Sequence, residues 1–281
     1  MDNRNWLKNC ATEAQLEHFE EQGYLIIEDA LTPNLLSQLN KVVDRIWNRE
    51  RKAQTLATDQ LLSKFRTIVD DDIFLELLDN PKTFPLVWDI LGWNIQLYIS
   101  HLIVYPPEQR NSEIVPGTWH QDGGRPACEM ERPQPRLSLK VSYWLSDVDT
   151  PEHGAMTIIP RSHKSDTKPD ACDTGIGTLP ICVKAGTAVL FDRRMWHRRG
   201  LNTSSTSRKV LFFGYSYRWL RGLDFNLMPE EVLKKCDPIR RQLLGDGTDI
   251  KGWWQPTEAD VPLRTWLQEH RGQELPIWGK A

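Results

Sequence analysis

The chain has 281 residues, of which 40% are hydrophobic and 26% charged, and its formal net charge is −3. Twelve Trp and eight Phe supply apolar surface for a sizeable core, which excludes a disordered chain despite a mean hydropathy of −0.51. The negative balance speaks against a nucleic-acid partner, and no apolar run approaches the roughly 20 residues needed to span a bilayer.

Residues 12–22 read as a helix, with Thr12 as N-cap and Gly23 as its stop, followed by a short strand, Tyr24–Ile27. Thr32-Pro33 opens a second helix, since Pro suits the first helical position, and Leu35, Leu36, Leu39, Val42, Val43 and Ile46 follow at helical spacing. A third helical stretch near 72–79 ends at Asn80-Pro81, and another covers 82–91. After Gly92 the texture changes. Segments near 95–105, 137–145, 155–160, 180–184, 187–192 and 209–217 are short, rich in β-branched and aromatic residues, and punctuated by Gly, Pro, Asp or Asn. Helices first and strands afterwards imply a mainly β fold with N-terminal helices around a closed or double-sheet core. A single domain is expected, with 1–92 as helical support, 93–220 as the core and the Trp- and Pro-rich 221–281 wrapping it.

The five cysteines (10, 128, 172, 182 and 236) include no Cys-x-x-Cys, so free thiols in a reducing compartment are expected rather than a zinc ribbon. The polar, acidic first 22 residues resemble neither a signal nor a transit peptide, which makes a cytoplasmic protein the expectation.

Three elements carry chemistry. The first is Trp119-His120-Gln121-Asp122-Gly123-Gly124. On an extended strand, residues i and i+2 share a face, so His120 and Asp122 could reach one metal ion. The second is His197, 75 positions after Asp122 and after the strand around 187–192, far enough to come from another strand. Two histidines and a carboxylate leave open positions on iron(II), which oxygen activation requires. The third is Arg208, eleven residues after His197 at the start of an apolar strand, where a buried guanidinium wants a carboxylate. Each has an ordinary structural alternative: a surface turn before Gly-Gly, a structural His beside Trp, a surface Arg beside Lys209.

Together they resemble the phytanoyl-CoA dioxygenase family of iron/2-oxoglutarate oxygenases. The resemblance runs from the Gly-Tyr and Leu-Thr-Pro opening at 16–43 through Trp119-His-Gln-Asp122, Tyr143-Trp144-Leu-Ser-Asp and His153-Gly-Ala-Met-Thr-Ile-Ile-Pro-Arg-Ser-His163. It ends with Gly186-Thr-Ala-Val-Leu-Phe, His197, Asn202-Thr203 and Arg208. Arg161-Ser162 stands where the family has Gly-Ser. The resemblance implies a double-stranded β-helix (jelly-roll, cupin-like) core and a 2-oxoglutarate-dependent dioxygenase that uses Fe(II) and O2. It implies His120, Asp122 and His197 as catalytic iron ligands, Arg208 as the anchor of the distal carboxylate of 2-oxoglutarate, and Gln121 and Trp144 as co-substrate-pocket positions. Asp122 disfavours halogenation, because halogenating relatives lack this carboxylate.

Strand parity adds a further residue. If Trp144 faces inward, so do Ser142, Lys140 and Ser138, while Leu137, Leu139, Val141, Tyr143 and Leu145 pack against helices. An inward Lys140 needs an anion, which a co-substrate or substrate carboxylate could provide; the alternative is a strand-edge lysine reaching water. Residues 193–222 hold eight Arg or Lys (193, 194, 198, 199, 208, 209, 218, 221) and no Asp or Glu. This run reads either as an anion trap at the site mouth or as a solvated basic segment. Loops 106–118 and 161–179 read as lids. The expected partner is a small, carboxylated metabolite, a natural product or amino-acid derivative such as a mycosporine-like amino acid. The competing readings are a metal-dependent non-oxidative enzyme on the same barrel and a non-catalytic jelly-roll binding domain. The sequence leaves oligomeric state and the type of oxidation open.

Overall fold

The computed structural model describes residues 5–57, 59–108, 116–124, 129–165, 167, 169, 177–247 and 251–277. The chain forms two compact units, a larger one of residues 12–65 and 101–212 and a smaller one of residues 1–11, 66–100 and 213–281.

The larger unit begins with the helix Glu13–Gln22. Thr12 and Gln15 close a reciprocal capping box at its start, and Gly23 ends it at φ +86. Strand β1 (Tyr24–Ile27) follows, then the helix Pro33–Gln54, capped by the Thr32 side chain and burying Leu39, Val43 and Ile46. The remaining strands are β2 (Leu62–Phe65), β3 (Ile95–Tyr105), β4 (Ser138–Trp144), β5 (Met156–Ile158), β6 (Leu179–Pro180), β7 (Ala188–Asp192), β8 (His197–Arg199) and β9 (Arg208–Tyr217). The second half of β3 and the first half of β9 belong to this unit, and the other halves run on into the smaller one.

Two antiparallel sheets result, one of order β1-β7-β4-β9-β3-β2 and one of order β6-β5-β8. Their facing side chains share one buried cluster that includes Trp144, Phe191 and Phe212 from the large sheet and Met156 and Ile158 from the small one. This is the double-sheet core that the strand pattern implied. The parity of β4 holds. Trp144 Nε1 donates to Ser142 Oγ on one face, while Leu139, Val141 and Tyr143 are fully buried on the other. The helix Pro33–Gln54 reaches the end of this strand through Asn40, whose Nδ2 donates to the Leu145 carbonyl.

Three details differ from the sequence reading. β2 has only four residues, two of them Ser and Lys, and forms by pairing with His101–Val104 rather than by its own propensity. β8 reads His-Arg-Arg and gave no strand signal; it forms because it is hydrogen-bonded on both sides. His120 and Asp122 do not lie on a regular strand: His120 makes an isolated bridge, and Asp122 sits on the turn after it.

In the smaller unit, Trp6 packs edge-on against Phe84, Trp88 and Trp266, with ring centroids 4.9–5.3 Å apart. Buried Asp79 is gripped by the Arg240 guanidinium. The tail expected to wrap the core contributes Trp266 to this cluster. Among the described residues, Cys10, Cys182 and Cys236 are free thiols, and no helix is long and apolar enough to cross a membrane. Cys128 and Cys172, and residues 109–115, 166, 168 and 170–176 of the expected lids, lie outside the described residues.

Candidate metal centre and co-substrate site

The site is built where residues 117–122 run antiparallel to β8 and the turn before it. Gly117 N–H donates to the Arg199 carbonyl, His120 and His197 exchange both backbone hydrogen bonds at 3.0 Å, and Asp122 N–H donates to the Arg193 carbonyl. Directly opposed residues of an antiparallel pair project side chains to the same side. Two histidines 77 positions apart in sequence (197 − 120) therefore face one point, with ring centroids 4.2 Å apart. On its other side β8 pairs with β5, His197 opposite Ile158, so the ligand strand is held from both edges.

Potential ligand atoms of His120, Asp122 and His197 lie within 4.8 Å of one another. Each histidine presents Nδ1 to a backbone carbonyl at 2.9 Å, His120 to Thr118 and His197 to Met195. That contact protonates Nδ1 and leaves the Nε2 lone pair for a metal. Burial holds His197 down at about 4, with the Asp122 charge opposing, so the ring is neutral near pH 7. Burial works to raise the Asp122 carboxyl, but the Lys140 ammonium, followed by His197, outweighs it and holds the group at about 2. Lys140 Nζ lies 2.8 Å from Asp122 Oδ2. Two neutral imidazoles and one carboxylate fit iron(II), leaving positions open on one side.

The Arg208 guanidinium sits in a second pocket of the same unit. It is 4% exposed, lies over the rings of Tyr105 (5.2 Å) and Trp144 (5.6 Å), and donates from Nη1 to the Gly154 carbonyl. Its Nε is buried without a hydrogen-bond partner, as is the Tyr105 hydroxyl. Burial pulls its pKa down to about 9, aided by the Arg199 charge and opposed by Glu108. Among the described residues no carboxylate forms an ion pair with it. A buried cation with an unmet donor and an aromatic frame fits a carboxylate ligand. Gly154 makes the pocket possible: its φ is +74, and a Cβ there would meet the Tyr105 ring at 3.1 Å.

The other residues singled out in the sequence separate. Trp144 frames Arg208. Gln121 Nε2 donates to the Arg194 carbonyl, so its amide is engaged beside the triad. Lys140 faces inward, and the anion the structure provides for it is Asp122. Most of the basic run is tied up rather than gathered at a mouth. Arg193 donates to the Asp122 carbonyl and Arg194 to Asp192; Arg198 stacks on Trp119; Arg199 pairs with Glu108 and Lys209 with Asp44. Tyr105 and His101 escaped the sequence reading, because a Tyr and a His on one strand carry no motif. Burial first, and then the Lys140 charge, lowers His101 to about 4.

Residues 19–210 match the protein family described as phytanoyl-CoA dioxygenase, a span that contains His120, Asp122, His197 and Arg208. The chain belongs to the phytanoyl-CoA dioxygenase family. As a member of that family it is an enzyme, a 2-oxoglutarate-dependent dioxygenase that works with iron. Dioxygenase af480 of Aspergillus fumigatus is 26% identical over 249 residues, 81% of this chain and 74% of that protein. Among solved structures, HygX from Streptomyces hygroscopicus with nickel and 2-oxoglutarate bound superposes with a TM-score of 0.61 at 15% identity, covering 76% of this chain and 90% of HygX. The non-heme alpha ketoglutarate dependent carbocyclase SnoK from nogalamycin biosynthesis gives 0.57 at 18% identity, covering 74% and 85%. These likenesses establish the cupin-like double-sheet fold. The family's Gly-Ser turn carries Arg161-Ser162 here. Arg161 adopts the left-handed conformation at φ 69, and Ser162 Oγ accepts from Trp196 N–H at 2.8 Å.

Proposed function

We propose that this dioxygenase oxidatively tailors a small carboxylated metabolite, with His120, Asp122 and His197 holding iron(II) and Arg208 holding the distal carboxylate of 2-oxoglutarate. The observation that carries the reading is the pairing of a two-histidine, one-carboxylate set with a buried guanidinium whose Nε has no partner. When bound, iron and 2-oxoglutarate supply O2 activation coupled to oxidative decarboxylation. The protein's own groups orient and shield. The carbonyls of Thr118 and Met195 hold both imidazoles in the ligand tautomer, and Lys140 keeps Asp122 ionised. Trp144 and Tyr105 wall the guanidinium from water, which strengthens its hold on a carboxylate. A natural product suits the reading, since SnoK comes from nogalamycin biosynthesis.

The test is anaerobic addition of iron(II) and 2-oxoglutarate. A visible charge-transfer band is expected, absent in His197→Ala, together with succinate release on admitting O2. No band and no succinate from the wild-type protein would overturn the proposal.

A further inference from the structure

Just past the end of β9 stands a second buried arginine with an unmet donor. Arg218 follows the strand, ten residues after Arg208 (218 − 208), and is 3% exposed. Its Nη1 and Nη2 donate to the carbonyls of Gly252 and Asp246 at 3.1 and 2.9 Å. Its Nε is buried without a hydrogen-bond partner, and among the described residues no carboxylate forms an ion pair with it. Burial pulls its pKa down, opposed by the Asp260 and Asp246 charges. Asp260 serves Thr257, accepting from its N–H and its hydroxyl at 2.8 Å, and Asp246 pairs with Arg241.

The Arg218 side chain lines a cavity of about 600 Å³, a volume within the usual range of small-molecule sites. All the lining residues belong to the smaller unit, and none of His120, Asp122, His197 and Arg208 is among them. Leu97 and Ile99 of β3, with Leu233 and Leu244, supply apolar lining. Trp219 and Trp253 add two large rings, 41% and 44% exposed, and Trp219 lies flat against Tyr217 with planes within 7°. Leu227, which also lines the cavity, is 88% exposed. Large apolar side chains left open to water around a cavity mark a place that binds.

Two arginines and three carboxylates line the cavity. The bare count favours a cation as ligand, but the partners favour an anion. Asp246 pairs with Arg241 at 2.7 Å and Glu230 with Lys234 at 4.0 Å, both cations outside the lining. Asp224 accepts from Ser100 N–H and Oγ at 2.6 and 2.7 Å, and burial pushes its carboxyl up. Arg221 Nε and Nη2 donate to the neutral Asn226 amide oxygen at 3.1 and 2.6 Å. The two arginines are therefore the lining charges without a paired counter-charge, and a carboxylate suits the buried one.

We propose that this cavity is a second small-molecule site, sharing no residue with the metal centre, and that it takes an amphipathic carboxylate with a flat apolar body. The carboxylate meets Arg218, and the body lies against Trp219 and Trp253. This goes beyond the oxygenase reading and does not depend on it.

The probes are 2-naphthoate and 2-naphthamide, titrated by calorimetry into the full chain. One series is anaerobic with iron(II) and saturating 2-oxoglutarate, and the other contains neither. In both series the carboxylate should bind about tenfold more tightly than the amide. Arg218→Met should erase that preference and Arg218→Lys should keep most of it. Arg221→Gln, at an exposed position, should lower it about threefold, and Trp253→Ala should weaken both probes about threefold. Arg208→Met should bind both probes as the wild-type protein does. Equal binding of the two probes to wild-type protein overturns the proposal, and so does an unchanged preference in Arg218→Met. A preference lost on adding iron(II) and 2-oxoglutarate, or lost in Arg208→Met, moves the carboxylate to the co-substrate site and also overturns it. If Arg218→Met does not fold, Arg221→Gln decides, and an unaltered preference there overturns the proposal. Unaltered binding of both probes in Trp253→Ala does the same. The charge-transfer band of the loaded protein is read separately: its absence overturns the oxygenase reading and leaves the second site standing.

Discussion

Two buried corners of the larger unit use arginine in opposite ways. At the end of β7, fully buried Asp192 accepts from Arg136 Nε at 2.7 Å and from Arg194 Nε and Nη2 at 2.9 and 2.7 Å, and Arg136 reaches on to Glu20. Every charge there has its counter-charge inside the protein. At the start of β9, Arg208 is equally buried but gives one hydrogen bond to a carbonyl and keeps an unmet Nε. The Asp192 corner is complete as the chain folds, whereas the Arg208 corner keeps one buried donor open. Arg194 and Arg208 belong to the same basic run, so density of charge does not separate the two corners. The inventory of partners does.

The largest expected effect breaks the open corner. Arg208→Met should weaken 2-oxoglutarate binding on the order of a hundredfold, read from titration of the charge-transfer band. Its thermal stability should be equal or higher, because a buried cation with an unmet donor is removed. A variant that loses stability but keeps 2-oxoglutarate affinity would make Arg208 another Asp192-type corner. The reciprocal substitution, Asp192→Asn, takes the carboxylate away from half-buried Arg194 and leaves Arg136 with Glu20 alone. It should cost about 3 kcal/mol in denaturant unfolding, with 2-oxoglutarate affinity unchanged in the folded fraction.

The metal-free protein should lose stability as pH falls from 6.5 to 4. Burial holds His197 and His101 at about 4 in the fold against 6.5 in the unfolded chain. In that window the unfolded state binds protons that the folded state refuses, so stability rises with pH. His197 alone should account for something on the order of 3 kcal/mol, and His197→Gln should flatten the slope in urea titrations at pH 7 and 4.5. Asp122 acts lower: its folded value of about 2 lies under the unfolded 3.8, so its contribution is full above 3.8 and is lost as pH falls through 2. The smallest effect lies near the closed corner. Arg161→Gly should stabilise by ~1 kcal/mol by relieving the left-handed backbone at φ 69. It should lose little with the exposed Arg161–Glu21 pair at 3.5 Å.

Much of the architecture was legible because it is local. Thr12 caps the helix it was expected to cap, Pro33 stands at the start of the second as expected, and the alternation along β4 placed Trp144, Ser142 and Lys140 on one face. β2 and β8 were not legible, because their pairing depends on partners remote in sequence, and half of β2 and all of β8 is polar. His120-x-Asp122 was found by the wrong geometry: the two converge through a bridge and a turn rather than along a strand. The basic run stayed ambiguous for a related reason, since a count of cations cannot show that Glu108, Asp44 and Asp192 lie within reach. Tyr105 and His101 matter only through neighbours that folding supplies.

The bridge between His120 and His197 has a thermodynamic consequence. Bringing together two histidines 77 residues apart has a length-dependent entropic cost on the order of 4 kcal/mol in an open chain. Here that closure is part of folding, secured by two main-chain hydrogen bonds that involve no metal. The imidazoles therefore meet an incoming ion as a ready-made chelate. Metal exchange should proceed without opening the backbone, and amide hydrogens of His120 and His197 should remain protected in the stripped protein.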